Sequence, residues 1–317
     1  MEEKKNIDLS VIIPIFNEEN IISELYKRLI DSISSITKNY ELIFINDGST
    51  DNSFMELVTL SQKDSHVFYI NFSRNFGHQI AVSAGLDFCN GDAVVIIDGD
   101  LQDPPELIPS LYEKYKEGYN VVYAKRNKRK GESWFKLLTA GLFYRILKRI
   151  TATPIPLDTG DFRLIDKKVV SYLKAMPEQN KFLRGQIAWL GFNQTEVMYD
   201  RDKRKEGKSG YSISKMFRFA IDGITSFSDI PLVFVSRMGF FICFISFLVI
   251  IYAVYSHFIL DVTVTGWTSL IISSTFIGGV QLVSVGIIGE YISRMNKNIL
   301  DRPLYIVKDT NYNRDSK

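Results

Sequence analysis

The chain has 317 residues, a formal net charge of +2 and 46% hydrophobic residues. This length allows one large domain with an appendage, and the nearly balanced charge gives no reason to expect a nucleic acid as partner. Its two cysteines, Cys89 and Cys243, lie in segments of different character, which excludes a disulfide framework and a cysteine metal site.

The first hundred residues alternate between strand and helix patterns. Four apolar segments read as buried strands, at residues 9–15, 41–45, 67–72 and 94–97. Helical apolar spacing lies between them, at residues 18–36, 52–61 and 77–88. A further helix and strand are predicted at residues 107–116 and 120–124. Such alternation predicts an α/β domain with a mostly parallel central sheet and helices on both faces.

The predicted strand at residues 94–97 runs directly into an acidic turn. Asp98 and Asp100 are separated by one glycine, and Gln102 and Asp103 follow. Open α/β sheets bind ligands in the crevice at the carboxyl edge, where such a turn directs its oxygens. Hard divalent cations prefer oxygen ligands and retain substrate phosphates as further ligands. The turn therefore predicts a Mg²⁺ or Mn²⁺ site that binds a diphosphate, although Asp and Gly also suit an ordinary turn.

Basic side chains follow the last predicted strand and recur further along the chain. Arg126 and Arg129 lie in one basic run, and Arg204 and Lys208 lie in a second. Arginine and lysine compensate the charge of bound phosphate groups. These residues are candidates for phosphate contacts, and solvated surface cations or contacts to anionic lipid are the alternative interpretation.

Two long uncharged segments, at residues 238–255 and 262–289, lie near the C-terminus. A helix needs ~20 apolar residues to cross a bilayer, so the segments predict a transmembrane hairpin with spans at about residues 234–257 and 266–289. Lysine and arginine precede the first span and follow the second, and the linker has neither. This distribution predicts a multi-pass protein of the inner cell membrane, with the α/β domain and both termini in the cytoplasm.

These patterns predict four regions. Residues 1–210 form the cytoplasmic α/β domain, and residues 211–232 form an amphipathic segment next to the membrane. Residues 233–289 form the transmembrane hairpin, and residues 290–317 form a cytoplasmic C-terminal tail. A second amphipathic basic helix is predicted at residues 134–150, suited to a membrane surface or to ordinary core packing. No apolar signal segment is found at the N-terminus.

Three motifs resemble those of family 2 glycosyltransferases with the GT-A fold. They lie at residues 11–19 (VIIPIFNEE), 46–51 (NDGSTD) and 98–105 (DGDLQDPP). A C-terminal motif at residues 286–294 (GIIGEYISR), followed by Arg302-Pro303-Leu304-Tyr305, is similar to the end of the bactoprenol glucosyltransferases. That group belongs to the polyprenyl-phosphate glycosyltransferases, to which the dolichol-phosphate mannose synthases are related.

The resemblance implies an inverting transfer of a sugar, most commonly glucose, from a nucleotide-diphosphate donor to undecaprenyl or another polyprenyl phosphate at the cytoplasmic membrane face. A UDP-sugar is the favoured donor on the same ground. The acceptor phosphate is already anionic, so that positioning and charge compensation matter more than a general base.

The resemblance also implies roles for individual residues. Donor-binding residues are Pro14, Phe16, Asn17, Glu18, Asp47, Asp98 and Asp100. Metal ligands are Asp98, Asp100 and Gln102, and acceptor-phosphate ligands are Arg126, Arg129, Arg204 and Lys208. Catalytic residues are Asp100, Asp158 and Arg126. Asp158 or Asp161 is a candidate for orienting the acceptor or accepting a proton, and a capped turn holding Arg163 is the alternative.

Two other functions are weighed against this one. Processive polysaccharide synthases carry a Gln-x-x-Arg-Trp motif, to which Arg184–Trp189 has only a superficial likeness, and two spans do not easily form a polymer pore. A membrane-anchored partner that binds nucleotide sugars without catalysis is expected to lack Asp100, which is present. The sequence leaves open whether copies of the chain form a homo-oligomer.

Overall fold

A computed structural model describes residues 7–126, 159–200, 230–258 and 266–312. The chain divides into two compact units. The first comprises Met1–Lys148, Thr153–Ile213 and Arg302–Lys317, and the second comprises Arg149–Ala152 and Ser214–Asp301. The predicted amphipathic segments at residues 134–150 and 211–232 lie almost entirely outside the described residues.

The first unit is built on one eight-stranded sheet. Its strands are β1 (Leu9–Ile15), β2 (Tyr40–Asn46), β3 (Val67–Phe72), β4 (Ala93–Ile96), β5 (Val121–Arg126), β6 (Thr159–Asp166), β7 (Gln194–Tyr199) and β8 (Val307–Thr310). They are arranged in the order β7-β5-β6-β4-β1-β2-β3-β8. Only β6 and β8 run against the others, so the carboxyl ends of the remaining strands meet at one edge. The predicted α/β fold with a mostly parallel sheet is confirmed.

Helices cover both faces of this sheet. They are α1 (Ile22–Ile33), α2 (Ser53–Lys63), α3 (His78–Phe88), α4 (Ile108–Lys116), α5 (Lys167–Ala175) and α6 (Leu183–Trp189). Val11 and Ile13 of β1 pack in one apolar core with residues of α1, α2 and α4. Ile12 packs in the other core with residues of α3, α5 and α6. A strand that is buried on both faces needs apolar residues at every position, which explains the continuous apolar runs in the sequence.

The first helix begins later than its apolar spacing predicts. Residues 18–36 are predicted as helix, but α1 begins at Ile22. The backbone N–H groups of Asn17 and Glu18 donate to the hydroxyls of Ser49 (3.0 Å), in the turn after β2, and of Ser53 (2.9 Å), the first residue of α2. These contacts from a distant part of the chain hold the segment in a loop, and local periodicity carries no information about them.

The C-terminal segment supplies a strand that the sequence does not predict. Within the predicted tail, Val307–Thr310 forms β8, which pairs antiparallel with the edge strand β3. The side chain of Asn311 accepts a hydrogen bond from the backbone N–H of Tyr69 (2.7 Å) and donates to the carbonyl of Val67 (3.1 Å). An uncovered edge strand exposes unpaired backbone groups, and β8 satisfies those of β3.

The second unit contains two long helices, α7 (Ile230–Phe258) and α8 (Trp267–Ile299). The two predicted spans fall within these helices. In the described residues, one window of 18 residues, Phe276–Ser293 in α8, is long and apolar enough to cross a membrane. It ends beyond the predicted span at residues 266–289. In α7 the corresponding apolar segment is shorter, Leu232–Ile242, so the transmembrane hairpin stays a prediction.

Tyr312→Phe is expected to lower the free energy of unfolding by about 1–2 kcal/mol. The Tyr312 hydroxyl donates to Oε2 of the buried Glu41 (3.0 Å), whose Oε1 accepts from the Ser10 hydroxyl (2.5 Å). Removal of the hydroxyl deprives a buried carboxylate oxygen of its donor. Tyr172→Phe is the matched control because that side chain is 55% exposed. Equal denaturant midpoints for both variants would contradict the expectation.

Candidate functional site

The acidic turn follows β4 at the carboxyl edge of the sheet. Asp98 and Asp100 lie in this turn, as predicted. Gly99 separates them because a Cβ at this position would lie 2.6 Å from Cδ1 of Ile15 and 2.9 Å from the carbonyl oxygen of Pro14. Because β6 runs antiparallel to β4, its first residues, including Asp161, lie at the same edge.

Asp98 has a buried oxygen without a hydrogen bond. Among the described residues, no donor forms a hydrogen bond with Oδ1 of Asp98. The nearest cationic group is the imidazole of His78, with Nε2 at 3.4 Å from this oxygen. Burial raises the pKa of Asp98 to about 6, since the opposing effect of His78 is offset by the charges of Asp161, Asp103 and Asp100. A buried carboxylate surrounded by other carboxylates favours a bound cation.

Asp100 is oriented by Gln102, which is also a predicted metal ligand. The backbone N–H and the side-chain amide of Gln102 donate to Oδ1 (3.1 Å) and Oδ2 (2.5 Å) of Asp100. Leu101 between them has φ of +56°, a left-handed conformation that is costly for leucine, and is only 2% exposed. Its buried side chain anchors the turn in the core. Gln102 therefore orients Asp100 through its backbone N–H and its side-chain amide nitrogen.

Asp161 is surrounded by donors. Its Oδ1 accepts from Nε of Arg184 (3.0 Å), and its Oδ2 lies 3.1 Å from Nε2 of His78 and accepts from the amide of Gln79 (3.2 Å). The guanidinium of Arg163, which is 5% exposed, lies 3.7 Å from Oδ1. Burial alone would raise the pKa of Asp161, but Arg184, His78 and Arg163 hold it well below its usual range. The lowered pKa disfavours uptake of a proton by Asp161, and its carboxylate orients the cationic side chains around it.

His78 is the site residue that the sequence did not reveal. It is the first residue of α3, and it lies between Asp98 and Asp161, although 20 and 83 positions separate it from them in the chain. Burial lowers its pKa, but the negative charges of Asp98 and Asp161 raise the pKa to about 9. A histidine has no recognisable spacing to partners that come from the turn after β4 and from β6, so its role becomes visible only in the fold.

The predicted donor-binding residues lie at the ends of β1 and β2. Pro14 is paired within β1, and the side chain of Phe16 just beyond the strand is 46% exposed. The side-chain oxygen of Asn17 accepts from the backbone N–H of Thr50 (2.8 Å), and Glu18 is held by its backbone N–H to Ser53. These contacts interlock the turns that carry the first two motifs.

Asp47 lies beneath a loop of the site. It is 3% exposed, and its carboxylate accepts from the backbone N–H groups of Phe76 (2.7 Å) and Gly77 (3.0 Å). Burial raises the pKa of Asp47 against the opposing effect of these hydrogen bonds. The hydrogen bonds of the Asp47 carboxylate are therefore made with the loop that leads into α3.

Several predicted residues cannot be placed. Asp158, Arg129, Arg204 and Lys208 lie outside the described residues. Arg126 is the last residue of β5 and pairs with Tyr199, which locates its backbone at the carboxyl edge. The structure thus brings together Asp98, Asp100, Gln102 and Asp161 and adds His78 and Arg184.

The residues present fit a divalent cation. Ligand atoms of His78, Asp98 and Asp161 all lie within 4.8 Å of one another, so this group could hold a metal ion. Asp161 already receives hydrogen bonds at both oxygens, whereas Oδ1 of Asp98 is buried without one. Within this group, Oδ1 of Asp98 is therefore the carboxylate oxygen best suited to an ion.

Comparison with known proteins agrees with this geometry. The model of glycosyl transferase family 2 matches residues 10–173. The chain is 49% identical to the uncharacterized glycosyltransferase YkcC of Bacillus subtilis (strain 168), over 96% of this chain and 94% of that protein. It is 40% identical to the SfII prophage-derived bactoprenol glucosyl transferase of Shigella flexneri, over 95% of this chain and 97% of that protein.

A solved structure shares the fold. The crystal structure of S. aureus TarS in complex with UDP-GlcNAc superposes with a TM-score of 0.50 at 16% identity, covering 69% of this chain and 66% of that chain. The family model covers more than half of the sequence, and the identity to the curated relatives extends over nearly all of it. The chain therefore belongs to glycosyl transferase family 2 and is a glycosyltransferase.

Proposed function

We propose that this protein transfers a sugar from a nucleotide-diphosphate sugar to a polyprenyl phosphate, with inversion at the anomeric carbon. Glucose is the proposed sugar. One observation carries the proposal. The 40% identity to the bactoprenol glucosyl transferase of Shigella flexneri covers 95% of this chain and so extends well beyond the family domain at residues 10–173. If the two proteins shared only the chemistry of the sugar donor, their sequence similarity would not have to extend over the second unit.

The donor is proposed to bind over the acidic turn. Asp98 and Asp100 would hold Mg²⁺ or Mn²⁺, and the bound ion would neutralise charge on the diphosphate leaving group. Gln102 fixes the orientation of Asp100 through two hydrogen bonds. Pro14, Phe16 and the turns that follow β1 and β2 are proposed to bind the base and ribose. A UDP-sugar is the favoured donor because of the family resemblance.

The acceptor is proposed to react without a general base. A lipid phosphate is anionic at neutral pH, so the protein has to position it and compensate its charge. Asp161, which is held by Arg184 and His78, is consistent with this chemistry because its lowered pKa disfavours the uptake of a proton. Arg126, Arg129, Arg204 and Lys208 remain the proposed phosphate ligands, and Asp158 remains the proposed orienting residue.

The connectivity of the sheet supports two membrane crossings. β7 and β8 belong to one sheet, and α7 and α8 lie between them in the chain. Because both strands lie on the same side of the membrane, the chain has to cross it an even number of times between Tyr199 and Val307. If Phe276–Ser293 in α8 spans the bilayer, α7 is the natural second span. We therefore propose a multi-pass protein of the inner membrane with its catalytic unit in the cytoplasm.

The test is transfer of radiolabelled sugar from a panel of UDP- and GDP-sugars to undecaprenyl phosphate, with Mg²⁺ or Mn²⁺. We expect lipid-extractable label with the wild type and a loss of at least about 100-fold in Asp100→Ala. Asp31→Ala, a change on the exposed face of α1, is the matched control. Label in a growing water-soluble polymer would indicate a processive synthase, and no label from any donor would indicate a binding partner without catalysis.

A further inference from the structure

The C-terminal segment contacts the strand that leads into the site. Tyr305 belongs to the Arg302–Tyr305 motif, for which the proposed reaction gives no role. Its ring stacks on Phe72 at the end of β3, with centroids 5.2 Å apart and planes inclined by 20°. Its hydroxyl donates to Oδ2 of Asp87 in α3 (2.9 Å). The carbonyl of the next residue, Ile306, accepts from the backbone N–H of Ser73 (3.0 Å).

These contacts continue into residues 73–77, the β3–α3 loop. Phe76 packs edge-on against Phe72, with centroids 5.6 Å apart and planes inclined by 85°. The backbone N–H groups of Phe76 and Gly77 donate to the carboxylate of Asp47. Gly77, with φ of +104°, is the N-cap residue of α3. The loop is therefore held by Asp47 and, through Phe72 and Ser73, by the C-terminal segment.

The residue after this loop is His78, which contacts the carboxylates of the site. Its Nε2 lies 3.4 Å from Oδ1 of Asp98 and 3.1 Å from Oδ2 of Asp161. A rigid helix transmits a displacement of its first turn directly to that side chain. The position of His78 against Asp98 thus depends on the packing of the loop, to which Tyr305 contributes.

We propose that Tyr305 is a positioning residue, which acts through Phe72 and the β3–α3 loop to hold His78 beside the donor-binding carboxylates. The expected effect on kinetics rests on the proposed function, because it concerns the affinity for the sugar donor. If the β3–α3 loop is ordered in only a fraction of the molecules, the apparent affinity for the donor is reduced in proportion to that fraction. Donor affinity is therefore expected to depend on a residue that does not contact the donor.

The first test is hydrogen exchange in the full chain, in detergent or nanodiscs. In Tyr305→Ala, amides of residues 73–80 are expected to exchange about tenfold faster, because the aromatic stack against Phe72 is lost. Amides of β1 and β4 are expected to be unchanged. Tyr305→Phe keeps the stack and loses only the hydroxyl, so its exchange is expected to match that of the wild type. Unchanged exchange of residues 73–80 in Tyr305→Ala would overturn the proposal.

The second test is the KM for UDP-glucose at saturating undecaprenyl phosphate. Tyr305→Ala is expected to raise KM about 3- to 10-fold with kcat little changed, and Tyr305→Phe is expected to restore the wild-type value. Tyr312→Phe separates positioning from general destabilisation, because it weakens the same segment at its other end, beside Glu41. It is expected to lower stability and leave KM unchanged. A rise in KM that follows stability in all three variants would overturn the proposal.

The two tests separate this proposal from the function on which it rests. If the wild type transfers no sugar from any donor, the proposed function fails, and the exchange measurement still decides whether Tyr305 orders the loop. If the wild type transfers sugar but Tyr305→Ala leaves the exchange of residues 73–80 unchanged, the positioning role fails and the proposed function stands.

Discussion

Asp98→Asn is expected to abolish sugar transfer and to raise the stability of the ion-free protein. The carboxylate lies near Asp100, Asp103 and Asp161, and its buried Oδ1 receives no hydrogen bond from the described residues. Asparagine keeps the shape but removes the charge that binds a cation. We expect transfer to fall at least about 100-fold and the affinity for Mn²⁺ to fall at least about tenfold.

The gain in stability follows from the raised pKa of Asp98. The unfolded chain releases this proton near pH 3.8, whereas the folded protein retains it up to about pH 6. Folding is therefore favoured by the protonated group at low pH, and this contribution is lost as the pH rises through about 6. Asparagine cannot ionise, so the variant does not lose this stability at pH 7. The gain is partly offset because His78 loses an anionic neighbour. We expect a net gain of about 1 kcal/mol.

The measurements are label transfer, Mn²⁺ binding followed by electron paramagnetic resonance, and denaturation without metal at pH 5 and pH 7.5. The difference in stability is expected at pH 7.5 and should shrink at pH 5. Asp31→Asn removes a carboxylate from the exposed face of α1 and should change none of the three quantities. Wild-type Mn²⁺ affinity in Asp98→Asn would show that Asp98 is not a ligand.

Asp161→Asn is expected to have the opposite effect on stability, with a loss of about 3 kcal/mol. Its carboxylate compensates Arg184, His78 and the almost fully buried Arg163. The neutral amide leaves these cations near one another without a shared anion. Transfer should also fall, because His78 and Arg184 lose the group that orients them.

The pH dependence identifies the cause of this loss. Because the folded-state pKa of Asp161 is lowered, its contribution is present above the unfolded value near 3.8 and is lost as the pH falls. The difference between wild type and variant should therefore persist from about pH 5 to pH 8. It should narrow towards pH 9, where His78 loses its proton. Chemical denaturation across this range checks the prediction, and equal stabilities at pH 7 would contradict it.

The sequence by itself determined the framework of the catalytic unit. Strands buried on both faces require continuous apolar runs, so β1 to β4 could be read from segments such as Val94–Ile97. The turn with Asp98 and Asp100 was likewise predicted, because a strand and the turn that follows it are local in the chain. The family followed from motifs that are contiguous in the sequence.

Only the tertiary structure decided which distant residues meet. β8 lies beside β3 although more than 230 residues separate them, and its four residues have no strong strand pattern of their own. His78 reaches Asp161 because antiparallel β6 begins at the edge where α3 begins. Asp47 matched a donor-binding motif, yet its carboxylate bonds to the loop before α3. These contacts depend on strand order and direction, which local periodicity does not specify.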